Sequence, residues 1–222
     1  MRTTWSAAAL ALCGLLAAGC KPPAYSGYAS PNGDFQCSVP WAWSVIYDAE
    51  GTYFTNLTFI GPFEPEFYLG APSFSVRWYT RYTSHRLRDG QTEMYADADD
   101  FINQILDSVY GKDRRMEVPL HEVDIDGRRF KHFVVVSAGP AAPGARWGTA
   151  ADQAGNTINP RQHAYAVLPM SRGFYVLTYP ATRQAYKKYY EQFNALVKSF
   201  VPLKDGPGGP PLPPPSRSKA AK

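Results

Sequence analysis

The chain has 222 residues, 45% of them hydrophobic and 14% aromatic, with a formal net charge of +4. That apolar content excludes an intrinsically disordered chain, and the length suits one domain with extensions. The basic residues are scattered, which argues against a nucleic-acid-binding surface.

Arg2 precedes an apolar stretch from Ala7 to Ala18. It is too short for a membrane span, which needs about 20 residues, and it ends in small residues as a cleaved secretory signal does. The segment "LAAGC" (residues 16–20) resembles the lipobox of bacterial lipoproteins, with Ala17 where leucine is commonest. That resemblance implies that residues 1–19 are removed and that Cys20 is acylated and becomes the new N-terminus. Lys21 stands where aspartate commonly signals inner-membrane retention, so the expected location is the outer membrane, facing the periplasm. Cys37 is then the one remaining thiol. It alternates with Phe35 and Val39 in "FQCSV" and is expected to be buried and inert.

Residues 20–34 carry prolines, glycines and small polar groups, and read as the lipidated cysteine followed by a flexible tether. The folded domain is expected over 35–203. "FQCSVP", "WSVIYDAE", "TYFTNLTFI" and "SFSVRWYTRY" read as strands, the last alternating Phe74, Val76 and Trp78 against Ser73, Ser75 and Arg77. The period then changes. Met94, Ala98, Phe101, Ile102, Ile105, Leu106 and Val109 recur at helical spacing, and Asp97, Asp99 and Asp100 suit the positive end of a helix dipole.

"EVPLHEVDIDGRRFKHFVVVSAG" predicts a hairpin turning at Asp126-Gly127 in a type I′ turn. That turn sets the register: Ile125 faces Arg128, Asp124 faces Arg129, Val123 faces Phe130, Glu122 faces Lys131, and His121 faces His132. The two opposite-charge pairs are expected to support the ladder. Two cross-strand imidazoles could begin a metal site, but a structural zinc site takes four protein ligands and a catalytic one three. The carboxylates Glu122 and Asp124 point to the other face, so the pair is read as structural and no metal or other cofactor is assigned.

Residues 139–162 lack periodicity and read as a long insertion. Its Arg146-Trp147 dipeptide is a candidate partner contact, since both residue types are enriched at interface hot spots. "HAYAVLPMSRGFYVLTYP" predicts a second hairpin turning at 171–173. A closing helix follows, with Thr182 as N-cap and Tyr186, Tyr190, Phe193, Val197 and Phe200 in one stripe. Residues 204–222 are proline-rich and are expected to be a disordered tail.

The opening "FQCSVPWAW", the run of strands, the middle helix, and "GFYVLTYP" leading into a helix that ends "ALVKSFVPL" resemble the PsbP-like superfamily. That group includes the PsbP proteins of photosystem II, Ran-binding Mog-type proteins and DcrB-like bacterial lipoproteins. The resemblance covers roughly Phe35 to Leu203 and implies an α+β fold, an antiparallel sheet flanked by helices in an α/β/α sandwich. Activities differ within such a group, so none is carried over.

The sequence contains no phosphate loop, nucleophile elbow, CxxC or HExxH. The expected function is therefore a non-catalytic binding or assembly module of the bacterial envelope, held to the membrane by its lipid and contacting an envelope protein, with no enzyme activity and no nucleic acid. The alternative is a small-ligand or metal-binding envelope protein, extending to catalysis, that uses His121 and His132.

Overall fold

The computed structural model describes residues 24–48, 56–63, 71–86, 92–111, 114–140, 150–151 and 153–213. In chain order the strands are β1 (Tyr25–Ala29), β2 (Phe35–Pro40), β3 (Ser44–Asp48), β4 (Asn56–Ile60), β5 (Ser73–Thr80), β6 (His85–Arg86), β7 (Thr92–Glu93), β8 (Arg115–Ile125), β9 (Arg128–Pro140), β10 (Ala150–Ala151), β11 (Thr157–Pro169), β12 (Gly173–Thr182) and β13 (Val201–Pro202). Helix α1 (Ala98–Gln104) runs into one π-helical turn, Ile105–Val109, and helix α2 spans Arg183–Ser199.

An eight-stranded antiparallel sheet has the order β3-β4-β5-β12-β11-β9-β8, with β10 paired to β11 off that path. A three-stranded sheet has the order β1-β2-β13, and β6 pairs with β7. Successive strand side chains point to opposite faces. The central strands of the large sheet are apolar at both parities and so build two cores. Phe74, Val76, Trp78, Phe130, Val134, Ala164, Ala166, Tyr175, Leu177 and Tyr179 form one with Phe35, Cys37 and Val39 of β2 and with Tyr189, Phe193, Leu196 and Val197 of α2. Tyr79, Phe133, Val135, Tyr165, Val167, Phe174 and Val176 form the other with Ala98, Phe101 and Ile102 of α1. The architecture is thus mostly antiparallel sheet with two helices.

Helix α2 begins where the sequence places it: Thr182 is extended and its side chain accepts from the Ala185 amide. At α1 the Asp97 carboxylate accepts from the amides of Asp99 and Asp100, satisfying donors that every helix start leaves open. The expected stripe from Met94 to Val109 is cut at both ends. Met94 precedes the helix and is exposed, and Val109 is exposed although it lies on the apolar spacing. The cause is the π turn, in which the Tyr110 amide donates to Ile105 O, five residues back, at 3.3 Å. Each residue of a wider turn rotates less, so the buried position passes from Val109 to Tyr110.

Four other expectations are corrected. The tether 20–34 is not free throughout, since Tyr25–Ala29 pair with Gln36–Pro40. The insertion 139–162 is strand at both ends: β9 extends to Pro140 and β11 begins at Thr157, with Ile158 opposite Pro140 and Asn159 buried opposite Gly139. The tail 204–222 is ordered through its first part, where Lys204 bridges Pro211 and Asp205 is buried. Lys131 stands opposite Glu122 as predicted, yet its ammonium reaches Asp99 Oδ1 at 2.6 Å, because α1 lies over that face of β9.

Candidate functional site

The β8–β9 hairpin has the register read from its turn, Ile125↔Arg128 through His121↔His132. Asp126 and Gly127 both take positive φ, 51° and 78°, as a type I′ turn requires. The imidazoles of His121 and His132 meet edge to face with ring centroids 5.2 Å apart. Beyond them the ladder is irregular. Three steps along β8 from Val118 to His121 match two along β9, and Pro119, which has no N–H to give, sits inside that bulge. The bulge turns the Pro119 carbonyl toward His121, whose Nδ1 donates to it at 2.8 Å. A carbonyl only accepts, so this bond fixes the proton of neutral His121 on Nδ1 and leaves Nε2 bare.

His132 lies further inside. Burial, and then the neighbouring His121, lower its pKa to about 4, so it is neutral at physiological pH. The Tyr190 hydroxyl of α2 makes a long contact with its Nε2 at 3.5 Å. The pair opens onto a cavity of about 230 Å³ between sheet and α2, with Val123, Phe130 and Val197 as apolar wall and Tyr190, Asn194 and Lys198 as polar rim. Among the described residues no group of three or more His, Cys, Asp or Glu side chains could hold a metal. The site is a small half-apolar recess with one neutral donor-acceptor ring at its floor. It can take a small ligand or simply solvate the two rings.

A second polar cluster was not legible in the sequence. His163, on β11, meets Tyr110 and Tyr165 at the far end of the α1 core. The Tyr110 hydroxyl lies 2.6 Å from the Tyr165 hydroxyl and is hydrogen-bonded to His163 Nδ1. Burial pushes both tyrosines above their ordinary range and lowers His163 to about 4, with Arg161 adding to the latter. The cluster therefore holds its protons across the physiological range. It acts as a neutral polar strut that links three side chains inside an apolar core, with His163 Nε2 buried without a hydrogen-bond partner among the described residues. The π turn delivers Tyr110 to it, and no sequence pattern marks a π turn. The fourth histidine, His85, packs edge to face on Tyr79 at 5.3 Å and belongs to neither cluster.

Cys37 is buried, and burial pushes its thiol up to about 12, the setting of an inert core cysteine. Cys20 and the Arg146-Trp147 dipeptide lie outside the described residues. No helix among the described residues is long and apolar enough to cross a membrane.

Among the described residues, the two edges of the large sheet differ in kind. Edge strand β8 carries two register shifts, Pro119, and the charged residues Arg115, Glu117, Glu122 and Asp124. Such features protect an edge from pairing with another chain. Edge strand β3, Ser44–Asp48, is regular along its whole pairing with β4 and exposes Val45, Ile46 and Tyr47, Ile46 at 51%. Trp41, just before β3 in the chain, and Phe63, just after β4, are also exposed.

No protein-family model matches the chain, and no curated protein matches it. Solved structures that match this chain include a protein from Bacteroides thetaiotaomicron, at 10% identity over 82% of this chain with a TM-score of 0.43. The chain spans 50% of the length of that protein. They also include the cyanobacterial PsbP (CyanoP) of Synechocystis sp. PCC 6803, at 12% identity over 83% of this chain and 95% of that one, with a TM-score of 0.48.

Proposed function

We propose that this chain is a lipid-anchored, non-catalytic envelope module of the PsbP-like, DcrB-like kind, an α/β/α sandwich that binds an extended segment of an envelope protein along strand β3. The observation that carries this reading is the contrast between the two sheet edges. β8 is defended by bulges, a proline and charges, and β3 presents a regular, apolar, one-sided ladder. A sheet edge of that kind recruits a strand: main-chain bonds supply affinity and alternate side-chain contacts supply selectivity. Cys20 carries the lipid and holds the module at the outer membrane facing the periplasm. Arg146 and Trp147 supply a second contact.

Two measurements test the reading. Replacing Cys20 with serine should abolish acyl labelling and release the protein from membranes, and a serine variant that stays membrane-bound overturns the anchor. A photo-crosslinking residue at Ile46 should give a discrete crosslinked partner in cells, whereas one at Glu122 on the opposite edge should not. Equal yields from both edges, or an Ile46 product that survives Val45→Asp, overturn the β3 interface.

The cavity at His121 and His132 favours a second reading, a small-ligand or metal site. Metal analysis of purified protein tests its metal form: stoichiometric zinc or copper that is lost in His121→Ala supports it, and a metal-free protein rejects it.

A further inference from the structure

Strands β5 and β12 separate at one end of the large sheet. Their ladder stops at Ser75↔Thr178, although β4 still pairs β5 as far as Ser73 and β11 still pairs β12 as far as Thr182. Beyond that point each side carries a proline, Pro72 just before β5 and Pro180 in β12, and neither has an N–H to extend the ladder. A cavity of about 250 Å³ lies there, walled by Pro72, Pro180, Ala181 and Ala185 and bordered by Ser73, Arg161, His163 and Thr182. It shares no residue with the recess at His121 and His132.

The field in this cavity is positive. No Asp or Glu is among the described residues that line it, and Arg161 is exposed and forms no ion pair among the described residues. The first turn of α2 borders it through Thr182 and Ala185 and contains no acidic residue, so the positive end of that helix dipole is not neutralised from within the helix.

His163 adds a donor. The Tyr110 hydroxyl has one proton and two neighbours, the Tyr165 hydroxyl and His163 Nδ1. With the ring proton on Nδ1, Tyr110 would donate to Tyr165, and both the Tyr165 proton and a bare Nε2 would lack partners. With the ring proton on Nε2 the chain runs from Tyr165 to Tyr110 to Nδ1, and a single group is left over, the Nε2–H. That arrangement leaves the fewest buried polar groups unpaired, and Nε2 is the atom buried without a hydrogen-bond partner among the described residues. Arg161 and His163 are two apart on β11 and so share one face of the sheet, about 7 Å apart along the strand.

We propose that this cavity binds a small monoanionic carboxylic acid with a short apolar body, the carboxylate taken by the Arg161 guanidinium and His163 Nε2–H and the body by the proline and alanine wall. A guanidinium fork matches the two oxygens of a carboxylate. The site offers one full positive charge beside neutral donors, because burial and Arg161 keep His163 neutral, and one charge suits a monoanion better than a phosphate dianion. The bound oxygen would also give the stranded Nε2–H the acceptor it lacks. The inference concerns neither the β3 edge nor the His121 recess, and it stands or falls apart from both.

Benzoate is the probe, added to the full chain carrying nitrogen-labelled histidine. Binding should saturate in the millimolar range and move the His163 Nε2–H resonance downfield as that proton gains an acceptor. Benzamide, which has nearly the same shape and no charge, should bind about tenfold more weakly or less. Inorganic phosphate at equal concentration should leave benzoate bound. Arg161→Gln, at an exposed position, should keep the unfolding midpoint and weaken benzoate about tenfold or more. Lys198→Gln, on the rim of the other cavity, should leave benzoate affinity unchanged. Absence of saturable binding, equal affinity for benzamide, displacement by phosphate, an Nε2–H signal that does not move, or sensitivity to Lys198→Gln in place of Arg161→Gln each overturns the proposal.

Discussion

His121 stands directly across the β8–β9 ladder from His132, yet the two rings live in different solvents. His121 is exposed and bonded to a carbonyl of its own strand, and His132 is sheltered beneath α2. The same cross-strand geometry therefore yields one ordinary imidazole contact at the rim and one desolvated ring behind it.

The desolvated histidines predict a pH dependence of stability. His132 and His163 both fall to about 4 in the folded chain, against 6.5 for the free side chain. Between those values the unfolded chain binds the protons first, so their contribution is fully present above about pH 6.5 and declines as pH falls toward 4. Urea midpoints measured across that window should drop with acid. His132→Phe should flatten the drop, because phenylalanine takes no proton in either state. An unchanged slope in that variant would show His132 to be freely solvated.

The buried thiol predicts a silent cysteine. In a chain with Cys13 and Cys20 replaced by serine, Cys37 should resist a thiol reagent at pH 8 for as long as the domain stays folded, and react at once in denaturant. Rapid labelling under native conditions would place it at the surface.

Two apolar residues on helical spacing should behave oppositely. Phe193 is fully buried between Phe74 and Tyr179, and Phe193→Ala should cost about 3–5 kcal/mol. Val109 is exposed on the π turn, and Val109→Ala should stay within about 0.5 kcal/mol. Denaturant unfolding of the two variants checks both. A large loss at Val109 would restore the uninterrupted helical stripe.

Gly173 closes the β11–β12 turn against the neighbouring strand, and a Cβ there would lie 2.1 Å from the Tyr79 carbonyl oxygen. Backbone cannot step aside as a side-chain tip can. Gly173→Ala should lower the thermal midpoint by several degrees, as a loss of about 1–3 kcal/mol does in a domain of this size. An unchanged midpoint would mean that the turn relaxes freely.

By itself the sequence determined what local chemistry dictates. Asp126-Gly127 imposed a type I′ turn, and the turn imposed the register down to His121 opposite His132. Thr182 fixed one helix start, and the alternation of Phe74, Val76 and Trp78 fixed a core face. These are properties of neighbours along the chain or across a two-residue turn. Only the tertiary structure decided the rest, because the deciding partner is remote. Lys131 left Glu122 for Asp99 once α1 lay over β9. Tyr110 replaced Val109 as the buried residue because a π turn carries it to His163 and Tyr165, and residues 203–213 became ordered because Ser171 offered two donors to the Asp205 carboxylate and Trp78 a flat ring to Gly206. A proline-rich segment carries no apolar period, so nothing within it announces a docking that rests on one aspartate, one glycine and a surface built by other strands.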